Sequence, residues 1–223
     1  MRARALHSAF VLLIALAAVA AAPAADARAP PTPVCGACSF DTTVDGTHVA
    51  TGESQLTVQI HENGSTTWVA TVALTDGAGT MADNDSFRRA VVEEAMRWSV
   101  AEPHDVRSRV DDGRLTVRYR DPEAAETAVG TVVFTPLTPE SPNGLFVSGG
   151  EGPRYLGTDR FVLRAPPGHE LIGEVRTTSS DELVWTRENG DDRTYLDVSD
   201  DPVAVDRDSG ATGVRMWFAR LLT

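Results

Sequence analysis

At 223 residues the chain has room for one large domain or two small ones. It holds 20 basic residues, every one of them arginine, against 32 carboxylates, for a formal charge of −12. With no run of basic residues to offset it, that surplus argues against a charge-driven hold on nucleic-acid phosphates or on strongly anionic membranes.

Lysine is absent, and the acidic excess (19 Asp, 13 Glu) is spread through every polar stretch. This composition predicts a protein suited to very high salt, where carboxylates hold water and cations and arginine still pairs and packs. At molar salt the Debye length is about 3 Å, so the acidity is no long-range steering field for cations.

The chain opens "MRARALHSAF", with Arg2 and Arg4, then runs VLLIALAAVAAA into the small-residue stretch AADA. A charged start, a short apolar core and an A-x-A site ending at Ala27 predict a secretory signal peptide over residues 1–27. The apolar run from Val11 to Ala22 is shorter than the roughly 20 residues that span a bilayer. The alternative is an uncleaved N-terminal anchor from Ala5 to Ala25. Both readings place the remaining chain outside the cytoplasm, secreted or at the cell surface. Loss of the leader (Arg2, Arg4, Asp26) takes the charge from −12 to −13.

Residues 28–54 read as an extended N-terminal segment. "RAPPTPV" is proline-rich, and "CGACSFDTTVDGTHVATGES" shows no sustained period. The chain's two cysteines, Cys35 and Cys38, lie here. A thioredoxin-type C-x-x-C ends a strand and opens a helix whose N-terminus stabilises the thiolate, and neither element is supplied. A zinc site needs four ligands, and His48 and His61 would join it only at an unfamiliar spacing. In an oxidising compartment the plain reading is a local Cys35–Cys38 disulfide, with metal binding, redox activity and pairing to another chain as alternatives. "TPVC" lacks the small-residue box that precedes a lipidated cysteine.

Residues 55–223 read as a β-rich domain. In "LTVQIHENGSTTWVATVAL", Leu56, Val58 and Ile60 alternate with polar residues, as do Trp68, Ala70, Val72 and Leu74 beyond Glu62-Asn63-Gly64-Ser65. Two period-two runs around an Asn-Gly turn predict a hairpin. "TDGAGTMADN" reads as loop. "DSFRRAVVEEAMRWSV" changes period, placing Phe87, Val91, Ala95 and Trp98 on one helical face, with Asp85 or Ser86 as cap and a Glu93–Arg97 pair. Val106 and Val110 before Asp111-Asp112-Gly113, and Leu115, Val117 and Tyr119 after it, predict a second hairpin. "AVGTVVFTPL", "DRFVLRA", "HELIGEV", "DELVWTR", "RTYLDV" and "GVRMWFARLL" read as further strands, with "TPESPNGLFVSGGEGPRYLG" as a long connection. Strand starts about every 10 residues predict a mainly β (α+β) fold: antiparallel, sandwich-like sheets with one packed amphipathic helix.

Catalytic motifs do not assemble. His61-Glu62 and His169-Glu170 do not continue to H-E-x-x-H, and His48 and His104 stand singly in strand or turn contexts. Asp206-x-Asp208 starts like a calcium loop, but its glycine comes early at Gly210 and the twelfth position is Trp217. Asp191, Asp192, Asp200 and Asp201 read as solvated acidic surface, with weak binding of hard cations as the alternative. No nucleophile elbow or phosphate loop is present, and no catalytic, metal or cofactor-binding set is read out. Asn63-Gly64-Ser65 and Asn84-Asp85-Ser86 are N-glycosylation sequons, both expected to be exposed.

The hairpin "LTVQIHENGSTTWVATVAL", with "DSFRRAVVEEAMRW", "RLTVRYR", "FVLRAPPGHELIGEV", "DELVW" and the N-terminal "VCGAC", resembles a group of uncharacterised haloarchaeal surface proteins. The likeness covers about residues 55–190. The resemblance implies a β-rich ectodomain; such proteins often carry a C-terminal transmembrane helix, and the group supplies no established activity. The expectation is a non-enzymatic surface or binding domain whose partner is a cell-envelope component. The competing expectations are a redox or metal-dependent protein using Cys35 and Cys38, and an extracellular hydrolase with a site near His61 and His169.

Overall fold

The computed structural model describes residues 31–97, 99–128, 131–138, 154–172, 177–187 and 203–206. Its centre is the first expected hairpin, β3 (Thr47–Ile60) and β4 (Thr66–Asp76). Leu56, Val58 and Ile60 face Trp68, Ala70 and Val72 on the buried side, as a period of two requires. At the tip Gly64 takes φ 80°, and Asn63 Oδ1 accepts from Ser65 N at 3.1 Å and Ser65 Oγ at 2.8 Å. The second hairpin, β5 (His104–Asp111) and β6 (Arg114–Asp121), turns on Asp112 and Gly113. Both turn residues have positive φ (48° and 71°), the conformation whose twist matches a two-residue hairpin.

Around this core the chain adds β10 (Arg160–Arg164), β12 (Thr177–Ser179) and β13 (Glu182–Thr186). The large sheet runs β12-β13-β10-β3-β4-β6-β5, with β2 (Asp41–Val44) paired to the first half of β3. It is antiparallel except between β3 and β10, which run parallel. Asp159 locks that junction: it accepts from Ser54 N at 2.7 Å and Ser54 Oγ at 3.1 Å, and pairs with Arg187 at 2.9 Å. A four-stranded sheet, ordered β11 (Glu170–Ile172), β14 (Val203–Asp206), β8 (Thr131–Phe134), β7 (Ala125–Ala128), packs on the buried side. Phe134 of β8 meets Trp68 of β4 at 6.0 Å between rings, and Tyr119 stacks on Trp68 at 5.6 Å. The fold is mainly β and sandwich-like.

Three local outcomes differ from the sequence reading. Asp45 and Gly46 (φ 49° and 77°) turn β2 into β3, so the expected boundary at 54/55 falls inside β3. The period went unseen because side chains of this half are largely exposed or half-buried, leaving little apolar alternation. Second, the expected loop contains a short helix, α1 (Ala78–Asp83), entered through Gly77 at φ 75° and anchored by the buried Met81. Third, the expected helix, α2 (Asp85–Met96), is capped by Asn84 rather than Asp85 or Ser86. Asn84 Oδ1 accepts from Ser86 N at 3.1 Å and Phe87 N at 3.0 Å. Its buried residues are Phe87, Val91, Val92 and Met96, with Ala95 half-buried, and Arg97 pairs with Glu94 at 2.6 Å rather than with Glu93.

The N-terminal segment is part of this core. β1 (Thr32–Pro33) pairs in parallel with β9 (Arg154–Tyr155), and the two cysteines follow in a tight 3-10 turn, Gly36–Cys38. They form a disulfide, and both are buried (1% and 0% exposed). The turn packs so closely on α2 that a Cβ at Gly36 would lie 2.5 Å from the Ala95 carbonyl oxygen. Among the described residues no helix is long and apolar enough to cross a membrane. The expected leader at 1–27, Trp98, the strands "RTYLDV" and "GVRMWFARLL", Asp191, Asp192, Asp200, Asp201, the Asp206-x-Asp208 side chains and most of the long connection lie outside the described residues.

Candidate functional site

The histidines go to separate places. His48 bridges two carboxylates, Nε2 to Asp41 at 2.7 Å and Nδ1 to Asp76 at 2.9 Å. Both partners are carboxylates, so the bridge is complete only when both ring nitrogens carry a proton, and the hydrogen bonds to Asp76 and Asp41 raise the pKa of the ring. His48 staples β2, β3 and β4 together. His61, just past β3, sets Nε2 2.9 Å from Thr67 Oγ1 in an open hollow it shares with Glu62, Asn63, Ser65, Arg118 and Arg120. Partial burial lowers its pKa first, and the charges of Arg120 and Arg118 lower it further. His104 opens β5, in register with Arg120. His169 sits in the turn before β11, its Nδ1 3.1 Å from the Pro167 carbonyl, and is not in the His61 hollow.

The expected sequon asparagines are both exposed, Asn63 at the hairpin tip and Asn84 at the cap of α2. Cys35 and Cys38 are shut away from exchange partners, since sulfur attack needs an open approach. Among the described residues no group of three or more His, Cys, Asp or Glu side chains could hold a metal ion.

What folding assembles is a basic face. The side of the large sheet turned away from the core carries Arg107 and Arg109 on β5, and Arg114, Arg118 and Arg120 on β6. On the far side of β3 and β4 it carries Arg160 and Arg164 on β10. The carboxylates in register among them are Asp111, paired with Arg109 at 3.4 Å, and Glu182, paired with Arg164 at 2.9 Å. Between the two arginine borders lie Gln55, Thr57 and Gln59 of β3 and Thr67, Val69 and Thr71 of β4. No contiguous run of basic residues marks this cluster in the sequence. Its signal was present as period-two arginines in "HDVRSRVD" and "RLTVRYR" and as the bracketing pair in "RFVLR", which strand pairing brings side by side.

A second concavity, about 770 Å³, lies between α2 and the edge strand β5. Val92, Met96, Ala101 and Pro103 line it, with the exposed Val106 at one side and Arg89, Arg97 and Arg107 around the rim. Arg88, at the same rim, is tied to the Met81 carbonyl at 2.6 Å and to Asp85.

A sandwich-like β domain with an arginine-lined open sheet face defines the class of protein that the geometry describes. No family model matches this chain, and no curated protein and no solved structure matches it.

Proposed function

We propose that this protein is a non-catalytic, extracytoplasmic binding module that engages a cell-envelope component through the open face of its large sheet. One observation carries the reading. Seven arginines are gathered on one rigid, solvent-facing surface of a chain whose formal charge is −12. Electrostatic complementarity then favours an acidic partner and sets its orientation. Strand pairing fixes the backbone positions from which these side chains project, so only the side chains themselves have to be ordered when the partner arrives.

Co-sedimentation of the purified protein with envelope fractions at molar salt tests this. Wild-type protein is expected in the pellet, and Arg107→Glu/Arg109→Glu protein in the supernatant. Equal pelleting of both, or no pelleting of the wild type, overturns the reading.

His61 gives the hydrolase alternative its one specific observation. Its Nε2 stands 2.9 Å from the Thr67 hydroxyl, with Arg118 and Arg120 beside it to hold a developing oxyanion. Turnover of an ester or glycoside that is lost in His61→Ala would establish it over the binding module.

A further inference from the structure

We infer that the hollow at His61, Arg118 and Arg120 holds the oxyanion group of an acidic polysaccharide laid across the open face of the sheet. This rests on the binding-module reading and names its ligand.

The first support is unresolved repulsion. Arg107 on β5 and Arg118 on β6 stand directly opposite each other, an arrangement that destabilises a sheet when the charges are alike. Arg120 is two residues further along the same face, opposite His104. Among the described residues no carboxylate forms an ion pair with Arg118 or Arg120, although Arg109 and Arg164 on the same face each have one. A bound carboxylate or sulfate removes the repulsion, and two guanidinium forks offer it paired N–H donors.

Neutral hydrogen-bonding groups complete the hollow. His61 and Thr67 are held together at 2.9 Å, and Arg120 reaches Ser65 Oγ at 3.5 Å. The charged groups around His61 are Arg118, Arg120 and Glu62, with His104 facing Arg120 from β5.

The polymer class follows from what surrounds the arginines. Side chains on one face of a strand recur about every 7 Å, and neighbouring strands lie about 5 Å apart, so the arginines match a linear chain with closely repeated charges. The surface between them consists of threonine and glutamine with Val69, and the valines beside it on β10 and β13, Val162 and Val184, are buried and half-buried, so what it offers is a flat row of hydroxyl and amide groups suited to sugar hydroxyls. Trp68, Tyr119, Phe161 and Trp185 all belong to the opposite, core-side face, so the described part of this surface has no aromatic platform on which unpaired bases would stack. The small apolar area likewise disfavours a folded protein partner, whose interface is anchored by aromatic and apolar side chains.

The experiment uses full-length protein without glycan at Asn63, verified by intact mass, since that residue borders the hollow. Calorimetry compares sulfated dextran, polygalacturonate, polyglutamate and oligothymidylate, each at molar and at ~0.15 M salt. Wild-type protein is expected to prefer one of the two polysaccharides. Arg118→Gln/Arg120→Gln is expected to bind it at least about tenfold more weakly, with a melting temperature equal to or above wild type because repulsion is relieved. The His61 ring resonances of wild type should shift on titration and show a raised pKa in the complex, because the bound anion offsets the arginine charges. Tighter binding of polyglutamate or oligothymidylate, or unchanged affinity in the double variant, overturns the inference. Envelope pelleting that persists while both polysaccharides fail to bind rejects this ligand class and leaves the binding module standing.

Discussion

When protonated, His48 donates from both ring nitrogens to Asp41 and Asp76, so its contribution to stability has a defined pH window. Its pKa is raised above 6.5, and the stabilisation it brings is complete below 6.5 and lost as pH rises through the raised value. Asp76 is held below 3.8, first by His48 and then by the Gly77 amide; its share is present above 3.8 and lost as pH falls through the lowered value. The staple thus acts between those limits, most weakly at high salt because it is exposed. A titration followed on the His48 ring should give a midpoint above 6.5, and Asp76→Asn should bring it down. An unmoved midpoint in that variant would show that Asp76 is not the partner. Asp121 is a buried counterpart (3% exposed), accepting from Glu102 N and Glu123 N at 2.9 Å each. Asp121→Ala strands both amides, and denaturant unfolding should show a loss of about 2–3 kcal/mol. A loss within ~0.5 kcal/mol would mean that water takes over both bonds.

At the scale of elements, the two hairpins were legible because β3, β4 and β6 alternate core residues with outward ones and each hairpin has a turn sequence with glycine at a positive φ: Asn63-Gly64 and Asp112-Gly113. The first half of β3 was not legible, since Thr47, Ala50 and Thr51 are half-buried and the alternation has no apolar partner to mark it. α1 was missed because only Met81 buries deeply and Gly77 and Gly79 argue for loop. The arginine face was missed for a different reason: proximity across strands depends on register, and register is decided by which side chains bury. The cysteine turn shows a similar dependence on tertiary contacts. Its sequence context suggested an extended segment with a local disulfide, yet Gly36 is pressed against the backbone of α2. Gly36→Ala places a methyl 2.5 Å from the Ala95 oxygen, and the turn or the helix end must shift. Thermal unfolding should register a cost of about 1–3 kcal/mol, while Gly46→Ala, with open space around its Cβ, should show only the smaller cost of its positive φ. Equal losses at the two positions would mean that the contact with α2 is not tight.

Over the whole molecule, charge is unevenly placed. Seven arginines occupy one side of the large sheet, so the remaining surface carries an acidic excess larger than the chain average. Like charges on that remaining surface repel over about 10 Å at ~0.1 M salt and over about 3 Å at 1 M. The melting temperature is expected to fall as sodium chloride is lowered from molar to ~0.1 M, and to fall less when potassium sulfate keeps the ionic strength constant. A melting temperature indifferent to salt would remove the argument that the acidic composition answers to high salt.

The parallel pairing of β3 with β10 also bears on the order in which the molecule is put together. Gln55 meets Arg160, and Cys35 N reaches Leu156 O at 3.2 Å, so the segment around 154–164 closes the centre of the sheet and ties the backbone of the cysteine turn to it. The hairpins β3–β4 and β5–β6 need only local chain and can form first, whereas contacts across more than a hundred residues carry a larger loop-closure cost. The turn that holds Cys35 and Cys38 is packed by α2, β3 and β4, so the thiols are buried once those elements close on it, and the hydrogen bond to Leu156 comes last. In refolding from the reduced chain, alkylating agent added early should trap both thiols, and agent added after the turn has packed on α2 should trap neither; thiols still open at that stage would show that the turn docks later. The disulfide has to be made before the turn is packed away.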